Sequence, residues 1–331
     1  MNPRASLCVG GLTDLTCRGL SVLVPSWSAF RYQSIQSGTI VAEQSSAQSA
    51  SSSPENSRST NDRVDSFVSF GIEVAFEDIE GLTATQQQVF KTDFARDLAQ
   101  LAEWTAEYGW APMLTPKLRA FVSRKYRISR SLVPAWHGRA GHMEFPVWRV
   151  ATRKAAIAHE LAHVFFPNAN RFLAEGLAVY LQSEIGGNPA FPNFDRPLHD
   201  LARESMLAMT PRLVSDELQN FDHIALGRLD AIATPGPLEL QVGGDFYGEE
   251  PRGQACLYAL AGSFVQFLIE TRGTQAFRKL YSQTPLVPLQ QNAGASERWT
   301  EIYGRSLAHL EHEWKFVITR CNAMTLEKPT I

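Results

Sequence analysis

Cysteine is scarce in this chain: Cys8, Cys17, Cys256 and Cys321 are the only four, widely separated and without a C-x-x-C pair. That spacing argues against a disulfide scaffold and against a cysteine-rich zinc module, and it leaves the redox compartment open. No stretch approaches eighteen consecutive apolar residues, so no membrane-spanning helix is expected. Charge of one sign is also missing in excess. The 31 Lys and Arg residues against 34 Asp and Glu leave a formal charge of -3, and the basic residues of 117–128 carry no aromatic ladder. Nucleic acid is therefore not an expected partner. No internal repeat is present. What remains, 44% hydrophobic and 20% charged residues over 331 positions, is the make-up of a soluble globular protein with a sizeable core in one large domain or two smaller ones.

The texture changes along the chain. Residues 20–30, LSVLVPSWSAF, form the main apolar stretch of the leader, and Pro25 interrupts it. With Arg4 and Arg18 before it, this resembles a secretory signal only in part, so the balance leans toward an exported or cell-envelope location without excluding the cytoplasm. Residues 43–60 are dominated by small polar side chains that cannot repay the entropy of ordering, and they read as a tether. The expected organisation is a weakly ordered leader and linker over 1–66, a folded domain over 67–322, and a polar tail over 323–331.

Within the domain, 67–76 alternates as a strand, and 83–108 places Val89, Phe90, Phe94, Leu98, Leu101 and Ala102 near one helical face. Thr83 or Thr85 would cap that helix, while Gly109 and Pro112 would stop it. A strand is expected over 117–128 and a strand or sheet edge over 141–150. Helices follow over 151–165, 171–184, 200–209, 213–220, 254–271, 274–282 and 300–319. In the last, Ile302, Leu307, Leu310, Trp314 and Val317 line an inner face. The fold class is α+β, with a strand-containing amino-terminal half and a mainly helical carboxy-terminal half.

The informative string is ATRKAAIAHELAHVFF, residues 151–166. His159, Glu160 and His163 form H-E-x-x-H. Helical positions four apart share a face one turn apart, so both imidazoles can address one ion with Glu160 beside them. The surrounding alanine, leucine and phenylalanine residues imply burial, and two histidines and a glutamate in such a helix need partners. A cation is one. A catalytic zinc site needs a third protein ligand and an open position. Glu175, embedded in FLAEGLAVYL over 172–181, and His199, in a proline-bounded loop, are the candidates. Gly176 would let a neighbouring helix approach closely. His309 and His312 are read as surface residues.

HELAH at 159–163 followed by FLAEGLAVY at 172–180 resembles the gluzincin zinc metallopeptidases, in particular the bacterial peptidase MA-like group. The resemblance implies a zincin-like catalytic domain with one catalytic zinc ion, His159, His163 and Glu175 as its ligands, and Glu160 as general base. Phe172 stands where that group usually has tryptophan. Val179 stands where larger gluzincins carry an acidic residue four places after the ligand glutamate. Residues 258–270, YALAGSFVQFLIE, are similar to the helix that follows the zinc site. They imply Tyr258 as donor to the developing oxyanion, with Tyr247 and His223 as weaker substitutes.

The resulting expectation is a zinc-dependent peptidase acting on a peptide or protein, with cleavage at internal bonds. A substrate would extend along the edge strand near 141–146. Two alternatives accompany it. GHMEF at 141–145 resembles the G-x-M-E-N string of zinc aminopeptidases, which would make Glu144 the carboxylate that binds a substrate amino terminus. Phe145 replaces the asparagine of that string. The other alternative is an inactive interaction protein that retains the fold.

Overall fold

The computed structural model of the chain describes residues 65–320, apart from 70–71, 78, 80, 114–116, 133–140, 214–225, 234–235, 237, 243–244, 248–250 and 288–289. The leader, the Ser-rich segment over 43–60, all but the first residue of the helix expected over 213–220, His223 and the polar tail lie outside the described residues.

Five strands form the main sheet, in the order β1-β2-β3-β5-β4. The run expected as one strand over 67–76 is two, β1 (Asp65–Ser69) and β2 (Ile72–Glu77), paired antiparallel with Ser69 opposite Ile72. Chain direction therefore reverses between Ser69 and Ile72. From β2 the chain crosses through α1 (Ala84–Glu107) to β3 (Lys117–Ser123), which pairs parallel to β2. β4 (Arg130–Leu132) pairs antiparallel with β5 (His142–Pro146), and β5 pairs parallel with β3. The segment near 141–146 is therefore held on both sides, contrary to the expectation of an edge. Among the described residues β4 is the edge strand on that side instead, with β1 at the other edge.

Pleating divides the sheet's chemistry. Leu118, Ala120, Val122, Met143 and Phe145 are buried, and Phe76 and Phe145 receive Phe90 and Phe94 of α1 in edge-to-face contacts, with centroids 5.4–5.7 Å apart. The opposite face carries Glu73–Lys117 and Glu77–Arg119 pairs, each at 2.7 Å. Thr83 caps α1 in a reciprocal capping box with Gln86. Phe90, Phe94, Leu98 and Leu101 are buried as expected, whereas Val89 and Ala102 sit at the margin. Asp93 and Asp97 share the buried face because Arg96 and Arg153 neutralise them.

That ion network explains one difference from the sequence reading. The helix expected over 151–165 begins only at Ile157, as α3 (Ile157–Phe165), and residues 147–150, expected to continue a strand, instead belong to a short helix, α2 (Val147–Ala151). Between them Arg153 adopts a left-handed conformation, φ 55°, and its guanidinium reaches Asp93 on α1. Hydrophobic periodicity is blind to such a reversal.

The remaining elements are α4 (Arg171–Glu184), α5 (Leu198–Leu213), α6 (Leu226–Asp230), the hairpin β6 (Leu240–Val242) and β7 (Asp245–Tyr247), α7 (Pro251–Arg272), α8 (Thr274–Tyr281), α9 (Glu297–Tyr303) and α10 (Leu307–Arg320). The last helix expected, 300–319, is broken by Gly304 at φ 65° into α9 and α10. Leu310 and Trp314 are buried, while Ile302, Leu307 and Val317 pack at the core's margin. The architecture is mixed helix and sheet, helix-rich after residue 147, and its core runs continuously from the sheet to α7 and α10. No helix among the described residues is long and apolar enough to cross a membrane.

Candidate metal centre

α3 and α4 are joined by five residues, and the short turn is held by side chains. Asn168 donates to the Tyr281 carbonyl at 2.7 Å, and its own Oδ1 accepts from Asn170 N–H and the Thr284 hydroxyl. Asn170 then caps α4 by accepting from Leu173 N–H at 2.9 Å, and donates to Asp230 and to the Ala293 carbonyl. Tyr281 donates its hydroxyl to the Phe166 carbonyl at 2.6 Å. The two asparagine side chains of the turn are thus tied into the fold, as burial demands. Gly176 brings α4 onto α7: a Cβ there would stand 2.6 Å from Val265 Cγ2 and 2.8 Å from the Ala261 carbonyl oxygen. Val179 faces the same helix, against Gly262, which accounts for an apolar residue at that position.

The antiparallel pair brings three atoms together. His159 Nε2 and His163 Nε2 are 3.1 Å apart, and each lies 3.2 Å from Glu175 Oε2. Two ligands bound to one tetrahedral zinc at about 2.0–2.1 Å would stand about 3.3 Å apart, so the triangle fits such an ion closely. The chemistry of the donors agrees. A carboxylate oxygen accepts only, and neutral imidazoles can supply few protons to three converging atoms, so a cation is the natural partner. Glu175 Oε1 is taken by Arg171, one turn earlier on α4, which fixes the carboxylate with a single oxygen toward the histidines. Burial alone would raise Glu175, but the charges of His163 and Arg171 and the histidine hydrogen bonds hold it well below the usual carboxylate range.

Glu160 lies beside this triangle. Ser131 of β4 donates to its Oε2 at 2.8 Å and sits equally close to its backbone carbonyl. Burial pushes Glu160 up to about 7, against the opposing pull of His159, Ser131 and Arg149, with the Glu175 charge reinforcing the rise. A cation at the triangle would lower it. Tyr258 of α7 is buried, its ring parallel to His159 at 6.1 Å. Burial first, and then the Glu175 charge, keep it a neutral phenol. All five residues border one cavity of ≈ 250 Å³.

The other sequence candidates stand elsewhere. His199 binds Ser263 at 2.8 Å and does not line the cavity. His309 is half-exposed beside Glu313. Tyr247 lies in β7, and its side chain is outside the described residues. Glu144 is buried between Arg130, at 2.5 Å, and His142, at 3.1 Å, on the sheet face opposite Ser131. Glu144 is not among the residues that line the cavity. Sequence reading missed Arg171, Ser131 and Arg149. Arg171 was visible as an i,i+4 partner of Glu175; Ser131 and Arg149 reach the site only through tertiary structure.

No protein-family model and no curated protein sequence matches the chain. Among solved structures it is similar to a point mutant of an M1 zinc metallopeptidase from Deinococcus radiodurans, at 17% identity and TM-score 0.42, covering 73% of this chain and 48% of that one. It is similar also to such a mutant from the same organism bound to a Tyr-Ser-Ala substrate, at 16% identity and TM-score 0.42, covering 76% and 50%. The chain spans about half the length of these proteins.

Proposed function

We propose that this chain is a zinc-dependent peptidase that hydrolyses internal peptide bonds, with His159, His163 and Glu175 holding the ion and Glu160 as general base. The observation that carries the reading is the triangle of His159 Nε2, His163 Nε2 and Glu175 Oε2 with a second, differently held carboxylate at its side. Two carboxylates in one cavity serve distinct ends. Glu175 is neutralised by Arg171 and faces the histidines, whereas Glu160 is held by a neutral hydroxyl that leaves it basic.

When bound, zinc supplies Lewis-acid polarisation of the substrate carbonyl and a more acidic water. Glu160 accepts the proton of the attacking water and returns it to the leaving amine. Ser131 orients Glu160 through Oε2. Tyr258 donates its phenolic proton in a hydrogen bond to the carbonyl oxygen as charge gathers there, bringing no fixed charge of its own. The substrate backbone lies along β4, the strand that carries Ser131 into the cavity wall.

Internal cleavage is preferred over aminopeptidase action because the carboxylate suited to a substrate amino terminus, Glu144, is already committed to Arg130 and His142. The test is a peptide library, half of it amino-terminally blocked, incubated with the zinc-loaded protein and read by mass spectrometry. Internal cleavage of both halves is expected. Removal of single residues from only the unblocked half would promote Glu144 and reverse the assignment. Glu160→Gln should keep zinc and lose cleavage by about 10²–10⁴-fold; an unimpaired mutant would contradict the mechanism, and a protein without any cleavage would favour an inactive interaction role.

A further inference from the structure

Three arginines border the cavity, and two are already spoken for. Arg130 is paired with Glu144 and Arg171 with Glu175. The third, Arg149 in the middle of α2, makes no ion pair or hydrogen bond through its guanidinium among the described residues, and the Glu160 carboxylate acts on it only as a more distant charge. It lies instead over two aromatic rings, 5.3 Å from the centroid of Trp148 and 5.8 Å from that of Phe191. Phe191 in turn meets Tyr258 edge-on at 5.5 Å and lines the same cavity. Stacking on rings fixes the plane of a guanidinium while leaving its N–H groups unused. Burial also pulls on this group, in the direction of losing its charge, with the Glu160 carboxylate opposing. A held, partly desolvated arginine with its donors unspent is a binding group for an anion.

We propose that Arg149 is a specificity residue that binds a substrate carboxylate beside the scissile bond. The proposal rests on the peptidase reading of the same cavity. A peptide offers that chemistry from two sources, an aspartate or glutamate side chain and a free carboxy terminus, and planar two-pronged contact suits either. The neighbouring apolar walls, from Phe191, Leu132 and Leu286, exclude water from the contact and strengthen it. Neutral peptides would leave Arg149 without a partner in a closed complex, which is how one charged group discriminates between otherwise equal substrates.

The test uses four amino-terminally acetylated hexapeptides of one sequence, with Glu or Gln at one central position and a free acid or an amide at the carboxy terminus. Binding of each to the zinc-loaded Glu160→Gln protein is measured by calorimetry, so that the peptides survive. At least one acid form should bind about ten-fold or more tightly than its neutral twin, as a charge-assisted contact implies. Which twin pair shows the difference identifies the source. Adding Arg149→Gln should bring the ratio near one, and Arg149→Lys, which keeps the charge but loses the planar fork, should lower it several-fold. Thermal melts check that both variants fold; if the glutamine variant does not, the lysine variant carries the comparison. Equal binding of acid and neutral twins, no binding of any, or a ratio that survives both substitutions would overturn the proposal. The unaltered zinc-loaded protein, given the same four peptides, separates the two readings. Cleavage without discrimination would remove Arg149 alone, and discrimination in binding without cleavage would remove the peptidase while leaving Arg149 in place.

Discussion

Gly176→Ala tests how the ligand helix is seated. The added methyl would stand 2.6 Å from Val265 Cγ2, 2.8 Å from the Ala261 carbonyl oxygen and 3.2 Å from its carbon. Ordinary contact is about 3.5–4.0 Å, so α4 and α7 would have to part by about 1 Å or distort locally. Neither neighbour can yield easily, since Val265 and Ala261 are fully buried, valine is stiff at χ1, and two of the three opposed atoms are backbone. Overpacking of this kind costs about 1–3 kcal/mol, and the upper part of that range applies here. Alanine is about 1 kcal/mol better than glycine inside a helix, so the net loss is about 2 kcal/mol. That corresponds to a fall in Tm of roughly 4–8 °C at about 2–4 °C per kcal/mol. Urea unfolding should be followed with a chelator present, so that metal binding does not mask the packing term. A variant as stable as the parent, or more so, would refute the close apposition of α4 and α7 and with it the seating of Glu175.

Other consequences follow from the same geometry. Arg171→Gln should leave the protein folded and weaken zinc binding by about 10–100-fold, because Glu175 loses the partner that fixes its orientation; competition with a chromophoric chelator measures this, and an unchanged affinity would remove Arg171 from that role. Asp230 is buried with Arg298, Trp299 and Asn170 around it. Asp230→Ala should cost about 3–5 kcal/mol, since an arginine is left buried without its counter-ion. Because Asn170 caps α4, the same variant should also bind zinc less tightly, and a stability loss near zero in denaturant unfolding would contradict the account of that network.

How much of this was legible in the sequence depended on how local the cause was. The H-E-x-x-H spacing and the following E-G string reported a shared helical face and a close helix contact, and the three donor atoms do converge. The boundaries of α4 are those its periodicity implies, because asparagine at its start caps it and the apolar stripe runs to Leu181, one turn before its end. Where tertiary contacts intervene, the pattern misleads. Residues 151–156, ATRKAA, contain no helix breaker, yet Arg153 turns the chain to reach Asp93, an ion pair sixty residues apart in sequence. Asp93 and Asp97 look like the polar side of α1 until Arg96 and Arg153 are seen to neutralise them. The order of β4 and β5 is equally unreadable. The chain lays β4 outside β5, so the strand resembling a substrate-binding edge lies inside the sheet, and the residue that holds Glu160 comes from a three-residue strand with no sequence signal. Gly304, by contrast, was a local sign that 300–319 could be interrupted.

The central claim is that one metal ion is bound by His159, His163 and Glu175. Anomalous diffraction from a crystal of the zinc-loaded protein, recorded on both sides of the zinc absorption edge, tests it most directly. The account predicts a single strong edge-dependent peak inside the triangle formed by His159 Nε2, His163 Nε2 and Glu175 Oε2. A peak at another set of side chains, or a fully zinc-loaded crystal with no peak in that triangle, would contradict it.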